Sequence, residues 1–127
     1  GDGFMLTFPS ARRGIGFSIA LQRALRLYNA RHPELMLRVR VGVHTGDAIH
    51  DKGDIFGKHV ILAARIASIA EGAQILVSSL AYELASSSGG VPFGAERKVE
   101  LKGLVGSHLV REVHWWEEPV DADPTRA

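Results

Sequence analysis

From Lys58 onward, Val60, Ala63, Ala64, Ala67 and Ala70 recur at the i, i+3, i+4, i+7 spacing of an amphipathic helix with one buried face. Four of the five are alanines, so this helix can approach a sheet or a second chain closely. Ile61, Arg65 and Ser68 fall together on a different face, because residues three and four apart stack one turn above another. A polar, glycine-containing stretch leads in, with Asp51, Lys52, Gly53 and Asp54 followed by Ile55, Phe56 and Gly57.

The flanking segments alternate between helical and extended patterns. Phe4 to Phe8 is read as a short strand rising from the Gly1-Asp2-Gly3 turn, ended by Pro9 with Ser10 as the next N-cap. Residues 11–30 are expected to be helical, with Phe17, Leu21, Ala24, Leu25 and Tyr28 on one side. Arg12, Arg13, Arg23 and Arg26 form a solvated face, and His32-Pro33 turns the chain. Leu35 to His44 alternates as a strand, with Leu37, Val39, Val41 and Val43 opposite Arg38, Arg40 and Gly42. Residues 48–50 return as a short partner strand.

After the central helix, Gly72 serves as its stop. Ile75 to Val77 is a buried strand, and Ser78 or Ser79 caps a helix to about Ala85. Ser86 to Gly90 is a turn; residues 96–101 and 108–114 close a hairpin about Gly103 and Gly106. The order implies an α+β domain with helices on one face of a largely antiparallel sheet.

At 127 residues the chain fits one domain by size. A hydrophobic fraction of 46% with 23% charged residues is that of a globular protein. The net charge of +1 gives no bulk electrostatic case for nucleic acid or membrane binding. With no cysteine, disulfides and thiolate metal sites are excluded. No apolar run is long enough to span a bilayer, and no signal-peptide pattern opens the chain. Residues 1–116 are expected to form the domain, and 117–127 an acidic tail or linker. Histidines 32, 50, 59, 108 and 114 show no metal-ligand spacing and no triad pattern.

Five stretches, in order, resemble the class III nucleotide cyclases, the adenylate and guanylate cyclase catalytic domains. They are Gly1-Asp2-Gly3-Phe4-Met5, Leu37 to Gly46, Asp54 to Lys58 with Ala63-Ala64-Arg65, Gln74 to Ser78, and Leu101-Lys102-Gly103-Leu104. The resemblance covers residues 1 to about 114. It implies a ferredoxin-like class III cyclase fold, a mainly antiparallel sheet with helices packed on it. In the family another strand and helices precede the Gly-Asp-Gly turn, so the first strand and helices are expected to be missing from this chain.

The same resemblance assigns roles. Asp2 matches one of two aspartates that hold a pair of divalent ions, Mg²⁺ or Mn²⁺; hard cations suit carboxylates and phosphates. Without the family context Asp2 is an ordinary turn residue. Arg65 matches the arginine that reaches across a homodimer interface to the triphosphate, a task that suits a planar, always-charged donor. Asp54 holds the spacing of a purine-selecting residue, and an acceptor there favours ATP over GTP; Asp51 is the neighbouring alternative. Lys102 matches a phosphate-contacting lysine, although a lysine at a hairpin turn is equally ordinary. His44 and Thr45 match as structural residues.

Ile61 departs from the family, whose active members usually place a ribose-orienting asparagine there. Two readings follow. One is a cytoplasmic, homodimeric adenylate cyclase that makes 3′,5′-cyclic AMP and pyrophosphate from ATP, with no nucleic-acid partner and no membrane contact in this segment. The other is a catalytically impaired cyclase homology domain acting as a dimerising or nucleotide-binding regulatory module.

Overall fold

The computed structural model describes residues 3–46, 57–87 and 89–118. In chain order the elements are α1 (Ala11–Arg31), β1 (Val41–Val43), α2 (Lys58–Ile69), β2 (Ile75–Ser78), α3 (Ser79–Ser86), β3 (Arg97–Glu100) and β4 (Ser107–Glu112). The strands form one sheet in the order β1-β2-β4-β3. β1 and β2 are parallel, joined through α2, whereas β2 with β4 and β3 with β4 are antiparallel. Two of the three pairings are thus antiparallel, as expected of this α+β class.

The helices lie on both faces of the sheet, which corrects the one-face expectation. Ile75 and Val77 of β2 join Ile15 of α1 and Ala81 and Ala85 of α3 in one buried cluster, together with Val113 and Trp115. Leu76, between them on β2, points the other way and packs with Ile66 and Ala70 at α2, Val110 of β4 and Leu101. All four residues of β2 are buried. A strand covered on both sides reads as a continuous apolar run, which is why Ile75-Leu76-Val77 shows no alternation.

Gly42 determines how closely α2 can sit. It faces α2 while Val41 and Val43 face the α1–α3 side. A Cβ added at Gly42 would lie 2.6 Å from the Ala63 carbonyl oxygen and collide with the Ala67 backbone. The small residues of α2 therefore bring backbone against backbone.

The sequence-based face of α1 is displaced. Its buried residues are Gly14, Ile15, Ser18 and Gln22, while Phe17 is exposed. The two polar members are accommodated because each donates a bond: Ser18 Oγ to the Gly14 carbonyl at 2.8 Å and Gln22 Nε2 to the Val39 carbonyl at 2.9 Å. Three of the four arginines expected in solvent instead tie elements together. Arg12 donates to the Ala85 carbonyl near the end of α3, a group left without a helical partner. Arg23 donates to the carbonyls of Trp115 and Glu117, and Arg26 lies over the Trp115 ring.

Two expected strands are shortened or absent. Residues 3–8 have no strand partner among the described residues, and Phe4 is almost fully exposed. The strand expected over Leu35–His44 is confined to Val41–Val43, since β2 begins only at Ile75. Before it, the Leu37 backbone is held by the Asn29 side chain, with two bonds of 2.8 Å. The short strand expected over 48–50 lies outside the described residues. At the end of α2, Ala73 rather than Gly72 takes the left-handed conformation, with φ of 69°.

Gly16 provides a stability test. It sits exposed within α1, and an added Cβ would meet nothing within 4 Å. Gly16→Ala should stabilise the fold by about 0.5–1 kcal/mol, read as a raised denaturation midpoint. A lowered midpoint would contradict the open environment.

Candidate active site

α2 presents Ile61, Ala64, Arg65 and Ser68 outward, all four exposed. The opposite side holds Ile66 and Ala70, with Leu62 and Ile69 packed against the same cluster. Ile61, Arg65 and Ser68 share a face as their spacing requires. Ala64 joins that open face instead of the buried stripe, a correction that follows from the larger Ile66 occupying the core. The result is an exposed face carrying Arg65, with a small residue beside it, an isoleucine one turn before and the exposed Lys58 at the start of the helix. Ser68 Oγ bonds back to the Arg65 carbonyl at 2.6 Å.

Lys102 lies exposed in the β3–β4 turn, between the buried Leu101 and the half-buried Leu104. Both leucines pack in the cluster that holds Ile66 and Ala70. Arg65 and Lys102 are thus each the immediate neighbour of a residue in one core cluster, on the α2 side of the sheet. The turn reaches this position through Gly103 and Gly106, with φ of 80° and 82°, values that favour glycine. Asp2 and Asp54 lie outside the described residues.

Sequence reasoning missed a side-chain chain at the start of α2. His44, just beyond β1, places Nδ1 2.7 Å from Ser78 Oγ and Nε2 3.0 Å from Nδ1 of His59. Ser78 Oγ also accepts the Ala81 N–H and so caps α3. The two imidazoles lie 5.1 Å apart by ring centre. Metal-ligand spacing was the wrong test; the usable signal was one histidine at a strand end and another on the first turn of the following helix.

Burial, reinforced by the neighbouring His59 ring, lowers the His44 pKa from 6.5 to about 4. His44 is therefore neutral in the folded protein where the unfolded chain already binds a proton. Its contribution is fully present above about pH 6.5 and is lost as pH falls toward 4. Partial solvent access screens the effect, leaving a loss of about 1–2 kcal/mol. Urea midpoints at pH 7 and pH 4.5 should differ less in His44→Gln than in the parent; equal differences would exclude this origin.

A family model described as the adenylate and guanylate cyclase catalytic domain matches residues 1–117. The chain belongs to this family. It is 32% identical over 117 residues to a provisionally named adenylate cyclase 3 of Rhizobium meliloti (strain 1021), a match covering 91% of this chain and 19% of that protein. The fold is similar to an adenylate/guanylate cyclase/hydrolase from Silicibacter pomeroyi, with a TM-score of 0.66, 26% identity, and coverage of 84% of this chain and 63% of that one. It is equally similar to the guanylyl cyclase Cya2, with a TM-score of 0.66, 25% identity, and coverage of 88% of this chain and 68% of that one. The chain therefore spans under a fifth of the curated relative and about two thirds of the solved domains.

Within this cyclase domain, Arg65 on the exposed face of α2 and Lys102 in the β3–β4 turn are the two candidate site residues that lie among the described residues. Among the described residues no three His, Asp or Glu side chains converge as a metal site. No helix of the described residues is long and apolar enough to cross a membrane.

Proposed function

We propose that this chain is the catalytic part of a homodimeric adenylate cyclase that converts ATP to 3′,5′-cyclic AMP and pyrophosphate. The observation that carries the reading is Arg65, held on the open face of a helix whose other side is fixed against Gly42 and the core. A cation presented outward from a rigid helix is placed to meet a triphosphate held by a second copy of the chain. Its guanidinium can form paired bonds to phosphoryl oxygens and stabilise charge that grows as pyrophosphate departs.

Lys102 supplies a second positive charge to the phosphates. Asp54 accepts from the adenine amino group, the contact that favours ATP over GTP. Asp2 is the carboxylate expected to help hold two Mg²⁺ or Mn²⁺ ions; such ions make the ribose 3′-hydroxyl more acidic and neutralise phosphate charge. The protein's own residues contribute mainly orientation and preplaced charge. A cytoplasmic setting, where ATP is available, belongs to the same reading.

Offered equal Mn-ATP and Mn-GTP, the protein with any residues that precede Gly1 should make cyclic AMP in about tenfold or greater excess. Asp54→Ala should narrow that ratio, as expected when a purine-reading polar contact is removed. A preference for GTP would overturn the adenylate assignment.

The regulatory reading has one specific support. Ile61 is 40% exposed on the same face as Arg65, where an apolar side chain offers the ribose no hydrogen bond. Under the cyclase reading Ile61→Asn should raise kcat by about tenfold or less, the range of one hydrogen bond. Activity found only in Ile61→Asn would identify the parent as a disarmed domain.

A further inference from the structure

We propose that His59 is a positioning residue for Arg65, because its contacts with His44 and Gly46 fix how α2 is rolled about its own axis. The proposal rests on the cyclase reading, since only there does the placement of Arg65 bear on a reaction. The hold itself rests on geometry. His59, Ala63, Ile66 and Ala70 follow the i, i+4, i+7, i+11 spacing of one helical stripe turned toward the sheet, whereas Arg65 stands on the exposed face.

At the exit of β1, His59 is gripped from two sides. Its Nδ1 lies 3.0 Å from His44 Nε2, and its ring lies so close to Gly46 that a Cβ there would overlap it. The anchor behind His44 is rigid. Ser78 is buried at the end of β2, and its hydroxyl both contacts His44 Nδ1 at 2.7 Å and caps α3. One line of polar contacts thus runs from the first turn of α2, past the end of β1, to the junction of β2 and α3. Protons are accounted for in either direction along it. Ser78 O–H and His44 Nε2–H donate toward His59, or His59 Nδ1–H and His44 Nδ1–H donate toward Ser78.

The other holds on α2 are less directional. Gly42 sets the distance between strand and helix at Ala63 and Ala67, and Leu62, Ile66, Ile69 and Ala70 pack by apolar contact. The N-cap, Gly57, provides no side-chain capping bond. A side chain stands roughly 6 Å from its helix axis, so a roll of about 10° moves it about 1 Å. That is the scale on which a preplaced charge loses its effect on a reaction.

The test compares His59→Phe with His59→Asn. Phenylalanine keeps a ring against Gly46 and removes the Nδ1 contact; the asparagine amide lies close to where Nδ1 lay and can restore it. The chain has no cysteine, so spin labels on Arg65→Cys and on Lys98→Cys, at an exposed position of β3, report a single distance within the chain. Labelled protein diluted into its unlabelled counterpart gives that distance without nucleotide. His59→Phe should shift or widen the distance distribution by about 1 Å or more, and His59→Asn should restore it. With Mn-ATP, His59→Phe should lower kcat about tenfold and leave KM within about twofold, because Arg65 acts on the transition state. In the Arg65→Ala background the same substitution should cost less than about twofold, which a general loss of structure does not produce. A parental distance distribution in His59→Phe, or an asparagine variant as displaced as the phenylalanine one, would overturn the proposal. So would a full tenfold loss in the Arg65→Ala background. Should His59→Phe not fold, His59→Ala read against His59→Asn gives the same decision. A protein silent with nucleotide whatever stands at 59 overturns the cyclase reading instead, and the label distance still decides the roll.

Discussion

Arg65→Ala is expected to lower cyclic AMP formation by about 10³-fold while leaving the thermal midpoint within a degree or two, the effect of deleting one preplaced charge that acts only on the transition state. The small stability change follows from exposure: Arg65 stands on the open face of α2, and the core contacts of that helix run through Ile66 and Ala70. Arg65→Lys should recover little, since a point charge cannot form the paired, planar contact. A rate within tenfold of the parent would remove Arg65 from the mechanism. Mixing Arg65→Ala with Asp2→Asn tests whether the site is shared between copies. Half of the dimers in an equal mixture are mixed, and each has one intact site of two, so about a quarter of the parental rate should return. A mixture as silent as its components would place both residues in one subunit's site.

Gly42→Val should be the most damaging single substitution in the described sheet. The first atom of any side chain at 42 meets the backbone of α2 at Ala63 and Ala67, not a flexible side chain that could turn aside. The helix must move outward or tilt, which costs about 3 kcal/mol for overpacking and is equivalent to roughly 10 °C in the midpoint. The same displacement carries Arg65 with it, so activity should fall even where the variant is folded, because misplacement by about an ångström costs about 10²-fold. A folded Gly42→Val with parental activity would show that the spacing between helix and sheet is not what places the arginine.

These two positions also show what could be read without coordinates. The period of α2 was legible, as was the shared face of Ile61, Arg65 and Ser68, but the packing of Gly42 against α2 was not, since the alternation put it with Arg38 and Arg40 on the polar face. The cap at Ser10, the α3 cap to within Ser78 or Ser79, and the glycine turn of the β3–β4 hairpin were legible because each depends on residues next to one another in sequence. What failed depends on partners distant along the chain. The strand expected at residues 4–8 lacks a described neighbour to complete its hydrogen bonds. The buried face of α1 contains Ser18 and Gln22, which hydropathy places in solvent and two carbonyls hold inside. Arg12, Arg23 and Arg26 were assigned to water because charge alone does not reveal a carbonyl or an indole waiting across the fold. His44 and His59 are 15 residues apart and meet only because β1 and α2 pack side by side.

The most direct measurement of the central claim is product formation from Mn-ATP by the protein with any residues that precede Gly1, followed by separation of cyclic AMP, ADP and AMP. The expected products are 3′,5′-cyclic AMP and pyrophosphate in equal amounts, both lowered about 10³-fold by Arg65→Ala. No cyclic AMP from either the parent or Ile61→Asn, at concentrations where the protein is dimeric, would contradict it and leave a domain that has the family's fold without its chemistry.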